Sequence, residues 1–508
     1  MTTAAPPATS YDKLCAHLRE TALLHATEST LAWDQETMMP RKGSAMRADQ
    51  LAQLATMVHA RRTSNELADL LSECEHDDAL TSDPRASANL REVRRELDRE
   101  SRLPAELVTE ISRTSALGME AWKEARAKQD FSLFEPWLQK TFDLARRKAE
   151  CLKTDDHPEL YDALMDGFEP GMTSARTEEV FAPLREFTVN LLKDVRGRAQ
   201  VDATPAIIEL PIDKQIDFTT KVLEAIGYDF DAGRMDPSTH PFCEGLGPGD
   251  TRITNRYRAD GWTDALSSGM HEGGHALYEQ GLPKADFFGQ PIASAISLGI
   301  HESQSRLWEN QVGRSRPFWG WALEQAKQVF GAGTLGGVSA EALYKAANMI
   351  EPNFIRVESD ELTYNLHIML RFDFERALID ERLKVGDLPG EWNARIKNDL
   401  GLDVPNDAKG CLQDIHWSMG AVGYFATYTF GNIYAAQLWA TMGEALPTRD
   451  EQMVRGEFGQ ILAWLRTNVH ELGMQHRAED LCKNICGEGM NPQPLMDHLQ
   501  AKVDAVYG

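Results

Sequence analysis

Two histidines one helical turn apart, with a glutamate beside the first, are the residues of this chain best suited to chemistry: His271-Glu272-Gly273-Gly274-His275. On a helix rising 1.5 Å per residue the two imidazoles share a face about 6 Å apart along the axis. That spacing lets both reach one tetrahedral Zn²⁺ at roughly 2.0–2.1 Å. A catalytic site of this type needs a third protein ligand and an open fourth position for water. Glu302, 27 residues beyond His275, is the candidate ligand. Glu272 is then the general base that takes a proton from the activated water.

The elements that must position these residues are helices. Gly273 and Gly274 sit mid-helix, where each costs about 1 kcal/mol relative to alanine, so their use points to a close backbone approach. Leu298, Leu307 and Trp308 have helical spacing around the polar run His301-Glu302-Ser303-Gln304-Ser305. A link containing Gly281, Pro283, Gly289 and Pro291 separates the two helices and lets the second fold back on the first. Residues 11–150 read as amphipathic helices, and 155–230 continue so, broken at Glu169-Pro170-Gly171 and Leu210-Pro211. The one convincing strand is Asp250 to Tyr257, with Ile253 among β-branched Thr251 and Thr254 after a Gly-Pro-Gly turn. It is either an exposed edge that pairs with an extended substrate or a small sheet packed under the metal helix. Helices dominate again from 262. The expected fold is mainly α, with two helical lobes flanking a deep cleft and a small β-sheet beside the zinc helix. Residues 1–10 are expected to be a flexible N-terminus and 11–508 a single catalytic domain.

The bulk properties exclude some classes. A net charge of −25 over 508 residues argues against nucleic acid or an anionic membrane as partner. Seven scattered cysteines do not form a disulfide framework, and Cys482 and Cys486 read as core residues. No charged segment followed by an apolar run opens the chain, and no stretch of 18 apolar residues occurs. A cytoplasmic location is expected.

Further constellations follow the site. Arg356, Asp360, Thr363, His367 and Arg371 recur at spacings of three or four, as on one helix face. His416, Gly420, Gly423 and Tyr424 have helical spacing too, with Tyr428 one turn further, giving a smooth face around the histidine. His240 either lines the cleft or caps a turn.

The chain resembles the carboxypeptidase Taq family of zinc metallocarboxypeptidases, which is of the HExxH gluzincin type. The likeness runs from Leu31-Ala32-Trp33-Asp34-Gln35-Glu36-Thr37-Met38-Met39-Pro40 to the C-terminal helices. Five further blocks carry it. They are Asp236-Pro237-Ser238-Thr239-His240-Pro241-Phe242, Gly247-Pro248-Gly249-Asp250-Thr251-Arg252-Ile253-Thr254, His301-Glu302-Ser303-Gln304, Ile355-Arg356-Val357-Glu358-Ser359-Asp360-Glu361-Leu362, and Gly410-Cys411-Leu412-Gln413-Asp414-Ile415-His416-Trp417. Ser359 stands where alanine is expected, and Ala426 where proline is usual; neither replaces a ligand or the base. The resemblance implies hydrolysis that releases single C-terminal amino acids with broad specificity, one Zn²⁺ per chain (Co²⁺ is chemically acceptable), peptide substrates and a homodimer. It also implies that Arg356 holds the substrate's terminal carboxylate, since a guanidinium fork matches that group. His416 and either Tyr424 or Tyr428 are then donors to the oxyanion, and Arg252, His240 and Tyr428 count as substrate contacts. The rival readings are a zinc oligoendopeptidase or dipeptidyl carboxypeptidase with the same ligands, and a helical interaction protein with structural zinc. A structural site is usually closed by cysteine, and none lies between Cys243 and Cys411.

Overall fold

A computed structural model describes residues 8–508. The flexible start expected over 1–10 lies largely outside them. Thr9 caps the first helix by accepting from Asp12 N, and the Asp12 carboxylate accepts from Thr9 N in return. Helix α1 (Ser10–Thr37) pairs with α2 (Ser44–Arg62). Helices α3 (Asn65–Glu75) and α4 (Pro84–Ser101) follow, the latter capped by Asp83 with proline in its first turn. Helices α1, α3 and α4 enclose a small core of Leu14, Leu67, Leu71, Cys74, Leu90, Val93 and Leu97. A much larger core runs from Trp122 to Val506 and contains Cys482.

The mainly helical expectation holds, with a three-stranded sheet set into it. Strands β1 (Gly233–Pro237), β2 (Cys243–Gly247) and β3 (Asp250–Asn255) are ordered β1-β3-β2, with β1 parallel and β2 antiparallel to β3. The strand legible in the sequence is therefore the central one and ends at Asn255, so it has no free edge for a substrate. Its alternation is that of a buried strand, with Thr251, Ile253, Thr254 and Asn255 inside. The outer strands escaped the sequence reading because Gly-Arg-Met-Asp-Pro and Cys-Glu-Gly-Leu-Gly have no β-branched residue. Gly249, at φ +76°, makes the reversal between β2 and β3.

Five more helices frame the site: α5 (Ile212–Ile226), α6 (Trp262–Gly281), α7 (Leu298–Arg306), α8 (Glu361–Ile379) and α9 (Ala426–Ala445). Helix α6 lies against β3, α5 and α7, and α7 packs along α9. Trp33 of α1 lies beneath the guanidinium groups of Arg252 (4.6 Å) and Arg234 (5.1 Å), which fastens the first helix to the sheet. A cavity of about 510 Å³ opens between α1, α4 and β2, and another of about 440 Å³ lies beside the first half of α6. No described helix is long and apolar enough to cross a membrane.

Candidate metal centre and active site

The fold-back expected from the breaker-rich link occurs, and it brings His271, His275 and Glu302 together. One ligand atom from each lies within 4.8 Å of the others. Glu302 Oε2 stands 3.7 Å from His271 Nε2 and 3.4 Å from His275 Nε2. Two nitrogens and one carboxylate oxygen at this separation fit a divalent cation with a further open position. The glycines explain the approach. A Cβ on Gly274 would stand 2.6 Å from the Gln304 carbonyl oxygen, and one on Gly273 would meet the Leu223 tip at 2.4 Å. On the far side, a Cβ on Gly431 of α9 would fall 2.3 Å from Glu302 Cγ.

Supporting groups fix these side chains. The Arg306 guanidinium donates to Glu302 Oε1 at 2.7 Å and to Glu309 Oε2 at 3.1 Å. His271 Nδ1 faces the same Glu309 oxygen at 2.9 Å, an outer carboxylate that orients the ring and leaves Nε2 for the metal. Burial pushes Glu302 up, but Arg306 and the two histidines outweigh it and hold the carboxyl well below its ordinary range. His275 is pushed down to about 3, chiefly by burial and then by neighbouring His301, so it is a neutral imidazole. Glu272, only 7% exposed, is raised to about 7 by burial against the pull of His271, a value suited to a base working near neutrality. Glu309 and Arg306 were not singled out from the sequence. Their signal is present, because residues four and seven beyond Glu302 share its helix face. The chain widens into a π-helical turn over Leu307–Val312, where Glu309 sits.

The helical stripe holds for Thr363, His367 and Arg371 on α8 but does not extend to Arg356. Arg356 lies in a short 3₁₀ turn, Arg356–Glu358, and Asp360 caps α8 by accepting from Thr363 N. The residues are nonetheless gathered, and Arg356, Thr363, His367 and Arg371 are buried. Asp414 Oδ1 accepts from Arg356 Nε (3.0 Å) and Nη2 (2.9 Å), while Arg356 Nη1 donates to Tyr364 OH at 2.9 Å. Arg371 donates to the other Asp414 oxygen at 2.7 Å. Three of the five guanidinium N–H groups of Arg356 are thus engaged, leaving one on each terminal nitrogen. Helical spacing also misled at His416, which sits in the 3₁₀ turn His416–Met419. Gly420 (φ +76°) and Gly423 (φ +95°) then reverse the chain before α9 begins. That reversal, rather than a shared helix face, brings the His416 ring 5.3 Å from Tyr424 and its Nε2 3.4 Å from Tyr428 OH. Burial lowers His416 to about 4 and raises both tyrosines, so all three are neutral donors. The Glu302 charge reaches both phenols.

Arg252 and His240 lie on the sheet side. Arg252 is paired with Asp250 at 2.8 Å and stacked on Trp33. His240 is exposed between β1 and β2, its carbonyl accepting from Ser238 Oγ at 2.7 Å.

Two imidazoles and a carboxylate converging beside a buried glutamate, held between tightly crossed helices, define a helical metallopeptidase. The chain belongs to the carboxypeptidase Taq (M32) metallopeptidase family, whose sequence model matches residues 13–503. It is 41% identical over 513 residues to thermostable carboxypeptidase 1 of Thermus thermophilus, covering 99% of this chain and all of that protein. It is 36% identical to carboxypeptidase 1 of Bacillus subtilis, with 97% of each covered. The crystal structure of the M32 carboxypeptidase from Deinococcus radiodurans R1 superposes with a TM-score of 0.95 at 36% identity, covering 99% and 100% of the two chains. These relatives do not favour the oligoendopeptidase or scaffold readings.

Proposed function

We propose that this metallocarboxypeptidase releases single C-terminal amino acids, with broad specificity, using one Zn²⁺ held by His271, His275 and Glu302. The convergence of those three ligand atoms within 4.8 Å, next to Glu272, carries the reading. Bound there, a divalent ion supplies Lewis acidity to the scissile carbonyl and to water. Glu272 takes the water proton and returns it to the leaving amine. Neutral His416 and Tyr424 or Tyr428 donate to the oxyanion. Arg356 turns its two remaining N–H groups to the substrate carboxylate.

Glu309, which supports His271, borders the smaller cavity, and Glu279, one turn beyond His275 on α6, borders the larger. Residues flanking Arg356, among them Asn353 and Glu358, also line the smaller one. The released residue is accordingly assigned there and the upstream peptide to the larger cavity. That cavity is bordered by the outer strand β2 at Glu244, Gly245 and Leu246, so β2 takes the strand-pairing role first read into β3. Arg252 and His240 are its proposed sheet-side contacts. A single catalytic unit over 11–508, a homodimer and a cytoplasmic location complete the proposal, and the same ligands accept Co²⁺.

The test is mass spectrometry of products from a short peptide panel, free-acid and amidated, before and after chelation. Stepwise loss of one residue from free acids alone supports the reading. Internal cleavage or release of dipeptides defeats it.

A further inference from the structure

The two histidines are supported unequally. His271 Nδ1 meets a carboxylate directly, at Glu309. His275 Nδ1 meets another imidazole instead, His301 Nδ1 at 2.5 Å, and His301 Nε2 faces Glu279 Oε1 at 2.8 Å. The other Glu279 oxygen is paired with Lys284, whose ammonium also reaches the Gly245 carbonyl at 3.4 Å. Only one proton arrangement serves the whole chain of contacts. If His275 keeps Nε2 free for a metal, its proton sits on Nδ1 and is donated to His301 Nδ1. His301 must then carry its proton on Nε2 and donate it to Glu279.

We propose that His301 and Glu279 are positioning residues for His275, fixing its tautomer and ring orientation through an imidazole relay, and that Gly245 and Lys284 anchor the relay to strand β2. The proposal rests on the reading of His275 as a metal ligand. Such outer contacts are typically worth 10- to 100-fold in metal affinity. The glycine on β2 is part of the device. A Cβ at Gly245 would lie 2.2 Å from Glu279 Oε2 and 2.7 Å from Lys284 Nζ, so a side chain on the sheet would displace the carboxylate that holds His301. Metal binding is thereby tied to a strand that contributes no ligand.

The experiment measures Zn²⁺ affinity of the full chain by competition with a chelator, and the visible absorption of the Co²⁺-loaded protein, which reports ligand geometry. His301→Ala, Glu279→Gln and Gly245→Ala should each weaken Zn²⁺ by about 10- to 100-fold and alter the Co²⁺ bands. His301→Gln should recover part of the loss, because its carboxamide can accept from His275 and donate to Glu279. The melting temperature of the chelated protein separates positioning from folding and should stay near wild type. Unchanged affinity in His301→Ala and Glu279→Gln overturns the proposal, as does a loss that tracks the chelated melting temperature and is not rescued by glutamine. No peptide is needed, so failure of the exopeptidase reading leaves this result standing. A wild-type chain that binds no metal removes its premise.

Discussion

Gly274 and Ser305 pass so closely where α6 crosses α7 that a Cβ on the glycine would stand 2.7 Å from the serine Cα. Both obstructing neighbours, Ser305 Cα and the Gln304 carbonyl, are backbone, so neither can rotate away. The crossing therefore sets the separation between the two histidines and Glu302.

Gly274→Ala should force the helices apart. Overpacking of this kind costs about 1–3 kcal/mol, and the larger effect should be on metal retention, because Glu302 moves with α7. Gly273→Ala meets only the tip of Leu223, which can change rotamer, so it should be milder. Metal content after dialysis and thermal melting of both variants check the ordering. Equal metal retention in the two would remove the crossing from the design of the site.

Glu272→Gln should keep its metal and lose nearly all turnover. The amide has the shape of the carboxylate but cannot accept the water proton, and general-base contributions are typically 10²–10⁴-fold. Retention of more than about a tenth of kcat would take Glu272 out of that role.

Glu302→Ala should cost the metal itself, since two imidazoles alone make a poor Zn²⁺ site. Zinc near one per chain in this variant, after dialysis against a mild chelator, would point to another third ligand.

Arg356→Ala should lower kcat/KM on free-acid peptides by roughly 30- to several-thousand-fold, the loss of about 2–5 kcal/mol from a buried charge-assisted pair. Amidated peptides should be poor substrates for both enzymes and little changed. Because Asp414 would keep only Arg371 as a close partner, melting temperature must be followed in parallel. Arg356→Lys, which retains the charge without the fork, should rescue partly. An equal drop on both substrate types would assign Arg356 to holding Asp414 and nothing more.

Glu169 gives a pH dependence away from the metal. It is buried at the start of α7, accepting from Ser297 Oγ at 3.0 Å and Gly299 N at 2.9 Å, and burial raises it from 4.5 to about 8. A folded-state pKa raised above the unfolded one stabilises the protonated form. That contribution is complete below the unfolded value and lost as pH rises through the folded one. Glu169→Gln can still accept from Gly299 N and donate its amide N–H to Ser297 Oγ, and it does not titrate. Its melting temperature relative to wild type should therefore rise between about pH 5 and about pH 8.5. A flat difference would mean that Glu169 is ionised throughout.

The helical content, the fold-back between α6 and α7 and the convergence of His271, His275 and Glu302 were legible in the sequence, from helical spacing and the breaker-rich link between the two helices. Gly273 and Gly274 even announced the close approach. What spacing could not give was anything made by a chain reversal. His416 and Tyr424 looked like neighbours on a helix and are neighbours across two left-handed glycines. Arg356 looked like part of a helix face and lies in a buried 3₁₀ turn, where Asp414, 58 residues away, neutralises it. Glu309 and His301 belong to the same class of omission. Their meaning depends on which side chain faces them, and periodicity carries no information about partners.

Helices α1, α3 and α4 keep a small core of their own, and ion pairs, hydrogen bonds and stacked guanidinium groups tie them to the rest of the molecule. Arg95 and Arg99 hold Asp166, Arg477 holds Glu92, Asn89 donates to Gln290, and Trp33 lies under two arginines. The ion pairs among these contacts weaken with ionic strength, modestly because they are partly buried, whereas apolar burial does not. Amide hydrogen exchange should resolve the chain into two cooperative units with separate opening energies, and added salt should speed exchange in the first while sparing the helices that cross at Gly274.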